Sequence, residues 1–285
     1  MIKFLVSDLD GTLFYGHGDS LFDLADENRK MMAKLANNED ITFCVASGRN
    51  IYYGLHLMEK YHNKSRLLCG YNGASIYDNG KVFEEYLDIS LIEKIYEISK
   101  KFTDIQDFQL LTSSGDRVFA NACEEVITVY QIQMDEIGHG KVSPLSIEEY
   151  MNSDKNDVLK VTINFTTKEA TNHAYNLLAS VSDDATVTSS GGYTVEVNTK
   201  KRNKGSFIDY VMENYDVTKE EIAVVGDAFN DVDMFKAVTN SLCMSHASDV
   251  VKGYAKYIVN NVAECYEMIL DINKNEVSND GKGNK

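Results

Sequence analysis

Short, continuous apolar runs mark both ends of the chain, and polar segments with helical spacing separate them. Residues 2–6, 41–46 and 67–70 form such runs near the amino end; 193–197, 222–225, 241–244 and 257–259 form them beyond about residue 190. A run without polar alternation is a strand buried on both faces, as in a parallel sheet. The segments between, 26–37, 50–61, 204–214, 231–237 and 262–271, predict helices. Strands alternating with helices make βαβ units, so these two stretches predict an α/β fold with a Rossmann-like parallel-sheet core.

The middle of the chain has a different rhythm. Segments 108–111 and 118–120 flank Thr112-Ser113-Ser114-Gly115-Asp116, and 187–188 and 193–197 flank Ser189-Ser190-Gly191-Gly192, two hairpin signals. Residues 158–165 alternate and are rich in Val, Ile and Thr, a strand signal; helices fit 90–102, 123–136 and 168–181. The pattern predicts an α+β domain with an antiparallel sheet, residues 82–190, inserted into a core made of 1–81 and 191–272. Residues 273–285, rich in Gly, Asn and Lys, predict a disordered tail. The single proline, Pro144, lies in the least regular stretch, 139–157, which predicts a mobile loop.

Two of the runs end in acids. Residues 2–6 lead into Ser7-Asp8-Leu9-Asp10-Gly11-Thr12, and 222–225 into Gly226-Asp227-Ala228-Phe229-Asn230-Asp231. A buried strand has no packing reason to end in two carboxylates, and the carboxyl edge of an open α/β sheet is where such folds bind ligands. The run 41–46 ends in Ser47-Gly48-Arg49, and Lys204-Gly205 opens the helical segment before the second acidic cluster. D-x-D-G-T, hydroxyl-Gly-Arg, Lys-Gly and G-D-x-x-N-D, in that order, resemble the four motifs of the haloacid dehalogenase superfamily, and more narrowly those of its Cof-like sugar-phosphate phosphatases. The resemblance runs to about Asp271 and assigns the insert to a cap of type C2, subtype B.

Phosphoryl transfer needs a nucleophile in line with the leaving oxygen and positive charge at the equatorial oxygens. The resemblance implies Asp8 as that nucleophile, forming an aspartyl-phosphate, and Asp10 as the acid that protonates the leaving oxygen and then the base that activates water. The acid's task needs a protonated carboxyl, which neighbouring carboxylates favour. Mg²⁺ is the implied metal, held by Asp8, Asp227 and the backbone carbonyl of Asp10, with Asp231 a ligand or a partner of the ligands. Ser47, Gly48, Lys204 and Asn230 are the implied phosphate contacts. Ser47 also has the place of a helix N-cap, a position that doubles as an anion site. Asn72, in Gly70-Tyr71-Asn72-Gly73-Ala74, either lines the site or makes an ordinary Asn-Gly turn. Ser245-His246-Ala247 departs from the family's usual Gly-Asn-Ala, so no role carries over to His246. The Gly191-Gly192 turn is a candidate for close approach to the leaving group.

Composition narrows the partners. At 285 residues the chain exceeds the usual domain size, which suits two domains. A formal charge of −16 argues against nucleic-acid binding and means an anionic substrate must be attracted locally, by a metal and a few cations. No apolar run reaches membrane-spanning length, and the amino end lacks a signal peptide's long apolar core. The five cysteines are odd in number, widely spaced and without zinc spacing, which suits a reduced, cytoplasmic setting. The expectation is a Mg²⁺-dependent phosphatase acting on a small phosphomonoester, a sugar phosphate or related metabolite. One alternative is a phosphomutase of the same superfamily, similar to the phosphomannomutases; it needs cap cations for a second phosphate, and Arg117 is the insert's single arginine. The other is a phosphoacceptor or ligand-sensing module without turnover, against which the second acid and the cap both argue.

Overall fold

The computed structural model describes residues 1–15, 22–181, 183–190 and 192–276, and the backbone of 277–280. It divides into two compact units, Met1–Val82 with Asn203–Lys285, and Phe83–Arg202. From the amino end come β1 (Phe4–Ser7), α1 (Asp26–Leu35), β2 (Thr42–Ala46), α2 (Ile51–Lys60), β3 (Leu67–Gly70), β4 (Ser75–Asp78) and β5 (Lys81–Glu84). Next are α3 (Ile89–Ser99), β6 (Ile105–Thr112), β7 (Arg117–Ala120), α4 (Glu124–Ile137), α5 (Ile147–Met151), β8 (Val158–Phe165), α6 (Lys168–Leu178), β9 (Ala185–Ser190) and β10 (Thr194–Thr199). The chain returns through α7 (Lys204–Tyr215), β11 (Ile222–Gly226), α8 (Val232–Ala237), β12 (Asn240–Met244), α9 (Asp249–Lys252), β13 (Tyr257–Val259) and α10 (Val262–Asp280). Among the described residues no helix is long and apolar enough to cross a membrane.

The first unit's sheet runs in the order β13-β12-β11-β1-β2-β3-β4-β5. The strands from β13 to β3 are parallel, and β4 turns back antiparallel on β3. Every residue of β1, β3, β11 and β12 is buried, as continuous apolar runs require. Phe207, Ile208 and Val211 of α7 and Met234 and Phe235 of α8 pack on Val6, Cys44 and Val224. The second unit's sheet is antiparallel, in the order β7-β6-β8-β10-β9. One face is apolar, with Phe108, Leu110, Val161, Ile163, Val195 and Val197 against α3 and α6. On the other, the Asp107 carboxylate accepts from Gln109 (2.7 Å) and Asn164 (2.9 Å), and Lys160 pairs with Glu196. Arg117 donates to Gln109 and lies over the Tyr130 ring.

Three expectations need correction. Residues 193–197 are not a core strand: β10 pairs antiparallel with β8 and β9, and the second unit runs to Arg202 rather than to residue 190. The reason is its alternation. Val195 and Val197 enter the apolar face while Glu196 pairs across the opposite one. Of the polar tail, residues 273–280 are helical, since α10 continues through them, and 281–285 lie outside the described residues. Asn273 anchors it, its side chain bonding both the N–H (2.6 Å) and the C=O (2.9 Å) of Ile2. The expected loop at 139–157 contains α5, started by a capping box of Ser146 and Glu149 and tied into the core by Ile147 and Tyr150. Of the Gly191-Gly192 turn, Gly191 lies outside the described residues; Gly192 sits at φ +76°, a conformation that suits glycine.

Candidate active site

β1 lies between β2 and β11 with Ser7 opposite both Val45 and Val225, so the three carboxyl ends coincide. The segments that leave them, Asp8 to Thr12, Ser47 to Arg49 and Asp227 to Asp231, therefore meet at one sheet edge. At their centre is a buried cation. The Lys204 ammonium lies 2.6 Å from Asp8 Oδ1 and 2.6 Å from Asp231 Oδ1 and has no exposed surface. Its place is fixed by the start of α7, where Asn203 and Ser206 cap one another reciprocally. Gly73, at φ +110°, lets the chain pass under Asn203: a Cβ there would stand 2.4 Å from the Asn203 carbonyl oxygen.

Asp231 uses both oxygens. Oδ1 accepts from Lys204, and Oδ2 accepts from the backbone N–H groups of Asp227 (2.8 Å) and Ala228 (2.9 Å). Gly226 makes room for this carboxylate, since a Cβ would stand 2.4 Å from its carbon. Asp227 is held by Thr12, whose hydroxyl donates to Oδ1 at 2.8 Å. Oxygens of Asp8, Asp227 and Asp231 all lie within 4.8 Å of one another. Burial pushes Asp8 well above the usual carboxylate range, against the pull of Lys204 and with added repulsion from Asp231 and Asp10. Asp227 is raised too, again by burial first, with the Thr12 hydrogen bond opposing. For Lys204, burial favours the neutral amine, but Asp231 and Asp8 outweigh it and hold the ammonium above its ordinary value. Three carboxylates around one ammonium are an all-oxygen donor set with negative charge in excess. The side-chain carbonyl oxygen of Asn230, the residue before Asp231, is buried and has no hydrogen-bond partner among the described residues. The residues fit a hard divalent cation.

Asp10 stands apart from this cluster. Its carboxylate takes a bidentate pair from Arg49, Nε to Oδ2 at 2.6 Å and Nη2 to Oδ1 at 2.7 Å. Beside the neighbouring carboxylates that the sequence reading weighed, Asp10 thus has a guanidinium partner that it did not. Ser47 is not the cap of α2; Asn50 is, accepting from the Tyr53 N–H. The Ser47 hydroxyl oxygen instead accepts the Arg49 N–H at 3.1 Å, which leaves its own hydrogen to donate. Gly48 lies in the same turn. Asn72, at φ +57°, makes a left-handed turn and also accepts from the Asn230 amide at 3.0 Å, so the turn reaches one of the implied phosphate contacts. Thr12 and Arg49 are the site residues that sequence reasoning passed over; both stood inside quoted motifs, but spacing does not say where a hydroxyl or guanidinium points.

Lys204→Met should test the bridge. Breaking a buried pair leaves carboxylates uncompensated and costs about 3–5 kcal/mol. In chelator, urea unfolding should show a loss of that order, reduced when Mg²⁺ is present to screen the acids. A variant as stable as the parent in chelator would show that the bridge contributes nothing to the fold.

A sequence model of haloacid dehalogenase-like hydrolases matches residues 5–265. The phosphatase YwpJ of Bacillus subtilis is 24% identical over 273 residues, covering 89% of this chain and 93% of its own. Among solved structures, a haloacid dehalogenase-like hydrolase from Bacteroides thetaiotaomicron is similar with TM-score 0.76 at 21% identity, over 94% of this chain and 100% of that one. The sugar phosphatase BT4131 is similar with TM-score 0.72 at 18% identity, over 94% and 98%. At such identities the structural likeness is one of fold.

Proposed function

Because the chain belongs to the haloacid dehalogenase-like hydrolase family, we propose that it is a Mg²⁺-dependent phosphatase that hydrolyses a small phosphomonoester, a sugar phosphate or related metabolite, through an aspartyl-phosphate on Asp8. One observation carries the reading: a buried Lys204 shared between Asp8 and Asp231, with Asp227 beside them at the carboxyl edge of a parallel sheet. A structural need alone does not place three acids and a lysine there. The phosphatase name of a relative and the sugar phosphatase among the structural neighbours support the substrate class.

Asp8 attacks phosphorus, forming a new O–P bond as the bond to the leaving oxygen breaks, and Asp10 gives that oxygen a proton. Water then attacks the phosphorus, Asp10 takes its proton, the Asp8–phosphorus bond breaks and inorganic phosphate departs. Each Asp10 oxygen accepts one bond from Arg49 and keeps a further lone pair, so the carboxylate can hold a proton while the pair stays in place. Lys204 sets its charge beside the phosphoryl group that Asp8 receives, and the Ser47 hydroxyl donates to it; Asn72, Asn230 and the Gly48 turn line the same edge. Asp8, Asp227 and the Asp10 carbonyl would hold Mg²⁺, while Asp231 is committed to Lys204 and the Asp227 loop. When bound, the ion supplies positive charge that offsets repulsion between the Asp8 carboxylate and a phosphate dianion. Five cysteines without a disulfide support a reducing, cytoplasmic setting.

The test is a phosphate-release screen over a panel of phosphomonoesters in Mg²⁺. Release from one or more sugar phosphates, with no need for a bisphosphate activator, is expected. Interconversion of phosphate positions without free phosphate would favour a mutase instead.

A further inference from the structure

The edge that carries the acids also carries an aromatic pair that the chemistry above leaves unused. Tyr15 follows the first acidic loop, its N–H bonded to the Thr12 carbonyl, and the Thr12 hydroxyl in turn holds Asp227. His246 comes two residues after β12, the strand next to β11 and its Asp227. The two rings stack, with centroids 3.9 Å apart and planes 14° from parallel. His246 Nε2 is 3.8 Å from Asp227 Oδ2, too long for a hydrogen bond. The stack is thus tied to the acid cluster through both chain segments.

Core packing does not account for it. With one face on His246, Tyr15 remains 47% exposed, whereas Asp8, Asp231 and Lys204 are buried. The charges of this edge argue for what the exposed ring meets. Lys204 is engaged by two carboxylates and Arg49 by Asp10, and the whole chain is strongly acidic. A leaving group with further negative charge gains little there. An uncharged one with a flat face finds an aromatic surface, which stacks favourably on the C–H face of a sugar or on a planar ring.

We propose that Tyr15 is a leaving-group contact and His246 the residue that positions its ring, together favouring phosphomonoesters whose uncharged leaving group is cyclic over those whose leaving group is acyclic; the inference rests on the phosphatase reading above. It assigns part of the substrate discrimination to the core unit and gives His246, where the family usually has Asn, a reason to be aromatic.

The experiment measures kcat/KM for a hexose phosphate, phenyl phosphate and glycerol phosphate in the parent, Tyr15→Ala, Tyr15→Phe, His246→Asn and His246→Phe. In Tyr15→Ala and His246→Asn the ratio of a cyclic ester to glycerol phosphate should fall about three- to tenfold, chiefly through KM. Tyr15→Phe and His246→Phe keep the rings and should restore the ratio. Whichever cyclic ester shows the larger fall, the hexose or the phenyl, identifies the kind of ring the stack accepts. Equal falls on cyclic and acyclic esters, or a fall that the ring-keeping variants do not reverse, would overturn the proposal and leave the phosphatase reading standing. No phosphate release from any ester by the parent protein would overturn that reading, and this inference with it.

Discussion

Replacing Asp8 by Asn should abolish phosphate release, with a loss of ~10³-fold or more in kcat. The amide keeps nearly the shape of the carboxylate but is a poor nucleophile, so the first O–P bond does not form. The surroundings should tolerate the exchange. Asp8 is buried, and burial works against its charged form; a neutral amide removes that cost while its oxygen can still accept from Lys204. Thermal stability near that of the parent is therefore expected alongside the lost activity, measured on the same preparation. If Asp8→Asn retained a tenth of parental turnover, another group would be the nucleophile.

Removing the metal should have an effect of similar size. Asp8, Asp227 and Asp231 bring three negative charges to oxygens within 4.8 Å of one another, against the single charge of Lys204. An incoming phosphate dianion is repelled unless further positive charge is present. In excess EDTA, phosphate release should fall by ~10³-fold or more, and added Mg²⁺ should restore it. The raised positions of Asp8 and Asp227 point the same way, since a bound cation relieves the burial cost of their charged forms. Undiminished activity in chelator would remove the metal from the account.

Much of this architecture is legible in the chain because its core strands are buried on both faces. Residues 2–6, 41–46 and 222–225 cannot alternate, and acids at the ends of two such runs have no packing explanation. The insert's far boundary is less legible. Residues 193–197 carry two valines, but Glu196 between them belongs to a polar sheet face, and only pairing with β8 reveals it. The carboxyl-terminal helix is hidden for another reason: its composition is that of a tail, and Asn273 holds it through a contact with Ile2, 271 residues away. Within the site, residue types were legible and directions were not. Nothing local says that Asp10 turns to Arg49, that Asn50 rather than Ser47 caps α2, or that Asn230 reaches Asn72. Tyr15 and His246 are joined only by the fold.

In the proposed reaction the phosphoryl group passes through Asp8. Mixing the protein with a turned-over phosphomonoester in Mg²⁺, quenching within the first turnover and mapping the peptides by mass spectrometry tests it most directly. Asp10→Asn should be run beside the parent with p-nitrophenyl phosphate, whose leaving oxygen departs without a proton, so that loss of the base slows breakdown of the intermediate by ~10²–10⁴-fold while its formation continues. A phosphoryl group is expected on the peptide containing Asp8, more abundant in Asp10→Asn and absent in Asp8→Asn. Phosphate release by the parent with no phosphorylated peptide in either protein, or with the phosphoryl group on a different residue, would contradict it.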